Sequence, residues 1–367
     1  MVHSIPKSAR FIAKILAKEG YIGLVFEVNR LFSLYNPTGT VIYREVLSPD
    51  DLAKYAAEGG HSDIVYYAIS RGAKNIDEIA YRAARGGHNT IVDDMINRGV
   101  EDIDDIAFEA ARGGYKDIVD DMIGRGAGAI NTIAYYAAEG GHKDIVDDMI
   151  RQGADAYNKI ASVSAIGGYK NIVDEMVKLG ADDLNDIARF AASGGYNAIA
   201  RPAARPGSQA LVDAMIGRGA TDVNTIAYFA ASKGHKDIVD DMIERGAYEF
   251  GEIAFQAAAE GHKHIVDDII QKALAVGPVP RKGFTFDRIA TAAAAGGRKD
   301  IVDDMIARGV NDYDQMAAIA AYGGHKDIVM DMIRRGANNY DTIIQNAREA
   351  WHDDLVRAIQ QYVRNKA

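Results

Sequence analysis

The chain has 367 residues, 48% hydrophobic and 26% charged, a globular composition far from that of disordered chains. Its 42 Lys and Arg against 52 Asp and Glu leave a net charge of -10, which disfavours non-specific binding to nucleic acid or to an anionic membrane, since both need a basic face. Zero cysteines exclude disulfides and thiolate chemistry and fit an intracellular protein, and no run of eighteen apolar residues marks a membrane span.

The first apolar stretch, Phe11 to Leu34, is broken by Lys14, Lys18, Glu19, Glu27 and Arg30, so it reads as neither signal peptide nor membrane helix. It fits a degenerate helix pair, with Phe11-Ile12-Ala13 in one helix and Leu24-Val25 in the other, expected to close the N-terminal end within a capping region of residues 1–49. Residues 31–47, which hold Asn36-Pro37-Thr38-Gly39, read as a surface loop.

From residue 50 the chain repeats itself. Taking Ile91-Val92 as an anchor, equivalents run from Leu24 to Leu355, and eight of the eleven intervals are 27 residues. Each unit reads as two helices, such as Ile106 to Arg112 and Asp117 to Ile123, whose apolar residues at i, i+1, i+4 and i+5 form one stripe. Such a pair cannot bury its stripe alone and must stack on its neighbours, which predicts an all-α helix-turn-helix solenoid of about 12 repeats. Fourteen residues before the anchors stand Asp77, Asp104, Asn131, Asn185, Asn224 and Asp314, expected as N-caps of the first helix. The apolar residue before each, as in Ile76, Ile103 and Leu184, is expected as a hydrophobic staple. Gly72, Gly99, Gly126, Gly153 and their equivalents are expected as left-handed ends of the second helix.

Regular units fill residues 50–199. The next interval is 39 residues long and contains Ile199 to Ser208, which matches the first-helix pattern but holds Pro202 and Pro206; residues 200–210 therefore read as a truncated repeat that has lost its second helix. Repeats resume over residues 211–340, interrupted by a loop near 272–286 with Gly277-Pro278-Val279-Pro280. Residues 341–367 read as a C-terminal capping repeat around Trp351, the single tryptophan.

The wording of the unit resembles the ankyrin-repeat family. Ala137-Ala138-Glu139-Gly140-Gly141-His142-Lys143-Asp144-Ile145-Val146, followed by Gly153-Ala154, carries that likeness, and the pattern recurs across residues 50–340. The family's Thr-Pro-Leu-His opening is replaced, as in Asp105-Ile106-Ala107-Phe108, and the unit is about six residues short of the ankyrin length. The missing length falls where ankyrins project a β-hairpin, so a hairpin-less variant is expected. Short units with the Gly-Gly-His-Lys-Asp-Ile-Val wording are similar to ankyrin-type proteins of large DNA viruses, which implies a cytoplasmic home, including that of a host cell.

His61, His88, His142, His235, His262 and His325 recur once per repeat, but Tyr115, Tyr169 and Arg298 occupy the same slot, so the column reads as structural and not as metal ligands. The Asp-Asp pairs at 93/94, 120/121, 147/148 and 240/241 have basic partners four residues away and read as a solvated face. No phosphate-cradling loop, nucleophile elbow or zinc-protease helix is present, so no catalytic residue, cofactor or metal is expected and the chain reads as a non-enzyme.

A scaffold fixes its core positions, so columns that vary between units mark recognition. Two such columns lie three residues apart on the first helix. Arg82, Glu109, Tyr136, Val163, Phe190 and Phe229 belong to one, and Arg85, Arg112, Glu139 and Ile166 to the other. By analogy with ankyrins they face the concave side. The reading is a non-catalytic scaffold or adaptor that holds a protein partner there, monomeric or weakly self-associating, with no nucleic acid or membrane as partner. The alternative is a structural component that assembles with itself or packs in a virion or other particle.

Overall fold

A computed structural model describes residues 7–25, 34–35, 41–42, 47–194, 209–275 and 284–366, of which 7–10, 34–35, 41–42 and 366 are described by their backbone alone. The contacts divide the chain into two compact units, Met1–Ser164 with Tyr169–Ala181, and Ala165–Gly168 with Asp182–Ala367. Both are built of antiparallel helix pairs, a first helix such as Ile103–Gly113 followed by a shorter second one such as Lys116–Gly124. The fold is an all-α helical repeat solenoid, as the period predicts. Leu34–Tyr35 and Val41–Ile42 form a two-residue antiparallel ladder within the segment read as a loop; among the described residues no repeat contains a strand.

Counting the first helix from Ile76 or Ile103 as position one, alanine stands at positions five, eight and nine in most repeats, as in Ala80, Ala83 and Ala84, all fully buried. These short side chains let successive first helices approach closely, so Pro49–Gly59 packs on Ile76–Gly86, which packs on Ile103–Gly113. Ile79 and Ile106 at position four, with Ile91, Val92 and Met95 from the second helix, fill the remaining space. Burying a side chain of this size is worth about 2 kcal/mol, and the gain recurs only when the next pair is in place.

The periodic Asp and Asn do something other than expected. The caps lie two residues earlier: Asn75 accepts from the Glu78 N–H at 3.1 Å, Asp102 from Asp105 at 3.2 Å and Asp312 from Gln315 at 3.0 Å. Ile76 and Ile103 are therefore the first helical residues and not staples before a cap. The residues taken for caps sit at position two and clamp the following repeat. Asp104 Oδ1 accepts from the N–H groups of Gly128 and Ala129 at 2.9 and 3.0 Å, and Asn224 Oδ1 from Tyr248 and Glu249 at 2.8 and 3.1 Å.

A second tie joins repeats at the Gly-Gly-His turn. His88, His142, His262 and His325 donate from Nε2 to the carbonyls of Glu58, Arg112, Ser232 and Ala295, the last-turn acceptors of the preceding first helix. Each ring lies against a left-handed glycine of that preceding repeat. A Cβ on Gly114 would stand 2.4 Å from the His142 ring, so only glycine fits. Arg298 takes the role by donating to Ala259, and the Tyr115 ring lies against Gly87.

The irregular intervals leave the stacking intact. Leu184–Ser193 pairs with Gln209–Gly217 and packs on Val223–Ser232, while Asn185 clamps Thr221 and Asp222 across the added length. Among the described residues Leu184–Ser193 therefore has a second helix of its own, Gln209–Gly217, and the repeat expected to lack one is not seen. Ile199 to Ser208 with Pro202 and Pro206, the greater part of the truncated repeat expected at 200–210, lie outside the described residues, as do Asn36 to Gly39 and Gly277 to Pro280. Lys263–Ala275 runs to thirteen residues because its ending glycine is absent, and Phe250–Glu260 still packs on Phe286–Ala295.

The terminal repeats also depart from expectation. Ala13 and Ala17 of Lys7–Lys18 are buried against the next repeat, but Phe11, Ile12, Ile15, Tyr21 and Leu24 are exposed, so the outer face of this repeat is apolar where a cap's is polar. Trp351 is 88% exposed and holds φ +63°.

Candidate functional site

The variable columns at positions seven and ten share a face with positions three and six, since helical residues three and four apart are neighbours. In the unit that begins at Met1 this face is a ladder of ion pairs. Arg82 donates to Glu78 at 2.8 Å and lies 3.5 Å from Glu58, which also holds Lys18 at 2.7 Å. Arg85 pairs with Glu109, Glu109 with Arg112 at 3.4 Å, and Arg112 with Glu139 at 2.7 Å. Arg82, Arg85, Glu109, Arg112 and Glu139 thus each bind the repeat before or after their own. Position six adds Tyr81, whose hydroxyl bonds to Asp105; burial, then the charges of Asp105, Asp102 and Asp77, push this phenol up to about 12. The Asp105 carboxyl is raised by burial and by Asp102.

The ladder ends in rings. The Arg112 guanidinium lies 4.4 Å from the Tyr136 ring centre, Tyr136 stacks on Phe108 at 5.4 Å and meets Tyr135 edge-on at 5.5 Å. Val163 departs from the expectation: at 6% exposed it belongs to the core and offers no surface.

In the other unit the same face is aromatic. Arg189, anchored by Asp186 at 2.7 Å, lies over Phe190 at 4.6 Å and Phe229 at 5.4 Å, and Tyr228 meets Phe229 edge-on at 5.3 Å. All four are half-buried, as is Ile166. Ser193 and Ser232 at position ten donate back to the carbonyls of Phe190 and Phe229 at 2.9 and 2.8 Å, so their hydroxyls are turned onto their own helix. Further on, Arg288 pairs with Glu252 at 2.8 Å and lies 5.3 Å from Phe255. Reading only positions seven and ten missed Phe108, Tyr135, Arg189 and Tyr228. Their signal was present, since position six carries aromatic or charged residues in most repeats and is the i−1 and i−4 neighbour of the columns that were chosen.

The opposite face carries the Asp-Asp pairs. Lys116 donates to Asp120 at 2.7 Å in its own repeat and to Asp148 at 2.8 Å in the next; Arg125 pairs with Asp121 at 2.9 Å and with Asp93 at 2.5 Å in the one before. Lys299 repeats the pattern with Asp303 and Asp331. The bond to Lys116 holds Asp148 below the usual carboxylate range against the effect of burial. For Asp240 and Asp331 burial pulls upward, and Lys236 with Lys272, or Arg335 with Lys299, more than offset it. These aspartates serve as rungs between second helices, and among the described residues no group of three His, Cys, Asp or Glu converges on a metal position. No described helix is long and apolar enough to cross a membrane.

No protein-family model matches the chain, and no curated protein matches it.

Proposed function

We propose that the chain is a non-catalytic, ankyrin-type scaffold that binds a protein partner along the face of its first helices, in the cytoplasm of the cell where it acts. The observation that carries this reading is the cluster of Arg189, Phe190, Tyr228 and Phe229. Stacking does not need these side chains, because Gln256 and Ile319 occupy position seven in other repeats. Half-buried rings with a polar rim and an arginine at the centre are the composition of protein-binding hot spots. The ion-pair ladder of Arg82, Arg85, Glu109, Arg112 and Glu139 ties neighbouring repeats to one another rather than contacting the partner.

Affinity capture from the native cell with the parent chain and with a Phe190→Asp/Phe229→Asp variant of unchanged circular dichroism tests the reading. A partner held by the parent and lost by the variant supports it. Capture of nothing but further copies, or a partner indifferent to both changes, replaces the scaffold with the structural-assembly alternative.

A further inference from the structure

The first and last repeats are unlike. Within each unit a repeat presents a front to its predecessor, made of position four, position eight, the Gly-Gly-His ring and the Ile-Val anchor. Its rear, turned to the successor, is made of alanines at positions five and nine and the left-handed glycine on which the next ring docks. In the first repeat the rear residues Ala13 and Ala17 are buried, as is Val25, while Ile12 and Leu24 of the front are open. Ile12 at position four is 50% exposed, where Ile79, Ile106 and Ile133 are buried completely; Leu24 at the anchor is 52% exposed, where Ile64 and Ile91 are at most 2% exposed. Tyr21 stands in the ring slot, 58% exposed, and among the described residues no glycine lies against it. Glu19 does not bar stacking, since Lys233 and Glu260 stand at the same position in stacked repeats.

The last repeat is the converse. Its front residues Ile343, Ala347 and Leu355 are buried, but its rear has been rewritten. Ile344 and Arg348 replace the two alanines, and Trp351 replaces the left-handed glycine while keeping that conformation at φ +63°. At the equivalent Gly60, Gly114 and Gly324 a Cβ would lie 2.4 to 2.6 Å from the incoming ring, so an indole there refuses it outright.

We propose that the N-terminal face is an open stacking surface whose occupant is the alanine-rich rear of another repeat of this kind, ended by a left-handed glycine, and that Ile344, Arg348 and Trp351 keep the last repeat of this chain from being that occupant. Ile12 and Leu24 are exposed where their equivalents within each unit are buried, so the face continues an interface already used between repeats. Were the rear open, the rear of one copy would meet the front of another in a head-to-tail contact between unlike surfaces.

Sedimentation velocity across a range of concentrations is the test. The parent chain sediments as a single copy. The Ile344→Ala/Arg348→Ala/Trp351→Gly variant, whose rear is that of an internal repeat, forms concentration-dependent multiples, and adding Ile12→Asp and Leu24→Asp returns it to single copies. Leaving Trp351→Ala in place of Trp351→Gly keeps it single, because the Cβ alone meets the ring. An opened variant with parental circular dichroism that stays single at every concentration overturns the proposal. So do multiples that survive Ile12→Asp and Leu24→Asp, and so does a parent that pairs through Ile12. Should the triple variant lose its helical signal, Trp351→Gly alone is read by the same outcomes.

Discussion

The first-helix face of the unit beginning at Met1 and that of the unit ending at Ala367 occupy the same positions in the same repeat, yet they do different work. In the former, Arg85, Glu109, Arg112 and Glu139 are tied to one another across repeats. In the latter, Phe190 and Phe229 lie under one arginine and bridge nothing that stacking requires. Both faces are half-exposed, so exposure does not separate them. What separates them is whether a side chain already has its complement within the chain.

The largest effect that sharpens this contrast is on partner affinity. Phe190→Ala and Phe229→Ala each weaken binding by about 2 kcal/mol, or about 30-fold, while Arg85→Ala and Arg112→Ala stay within about threefold of the parent, as read by titration calorimetry. Arginine variants that cost as much as the phenylalanines would erase the distinction.

Next in size is the clamp, which both units share. Asp104→Ala and Asn224→Ala each strand two backbone N–H groups and lower stability by about 1–2 kcal/mol in urea unfolding, whereas Asp104→Asn, which keeps the accepting oxygen, stays close to the parent. Unequal losses would mean that the units differ in their stacking as well as their faces. Smaller still is the ladder itself: Arg112→Ala costs about 0.5 kcal/mol at low salt, and the difference from the parent vanishes near 1 M salt, where such pairs are screened. The stability of the aromatic cluster in Phe229→Ala responds to salt no more than the parent's does.

The least discriminating prediction concerns acid. Asp148 in one unit and Asp240 and Asp331 in the other have folded pKa values below their unfolded ones. Their contribution to stability is therefore complete above about pH 4 and declines as the pH falls through the lowered folded values. Far-ultraviolet circular dichroism followed downward in pH holds level to about pH 4 and then falls in one transition. Loss that begins near pH 6 would point to histidine instead.

Much of this was legible in the sequence. Period and helix pairing follow from the 27-residue spacing, and the left-handed glycines from their place in it, for Gly72, Gly99 and Gly126 all hold positive φ. The caps were misread by two residues because two Asx columns run side by side, Asp102 with Asp104 and Asp222 with Asn224, and cap and clamp demand the same accepting oxygen. Val163 was misplaced because a variable position is not always an exposed one. In the sequence Leu184–Ser193 looks partnerless because Ile199 to Ser208 imitates a first helix, and only three-dimensional pairing gives it Gln209–Gly217. The cluster around Arg189 was only half seen, since a ring between two chosen columns is invisible to a reading by column.

Asn185 has one more implication. Its oxygen reaches Thr221 and Asp222 across 36 and 37 residues with the geometry that Asp104 achieves across 24 and 25. Register is kept between neighbouring first helices, so the span from first to second helix within a repeat is free to vary in length. That junction is where new sequence can enter the gene without shifting any later repeat, and a foreign domain spliced between residues 194 and 209 should leave the array on either side in step.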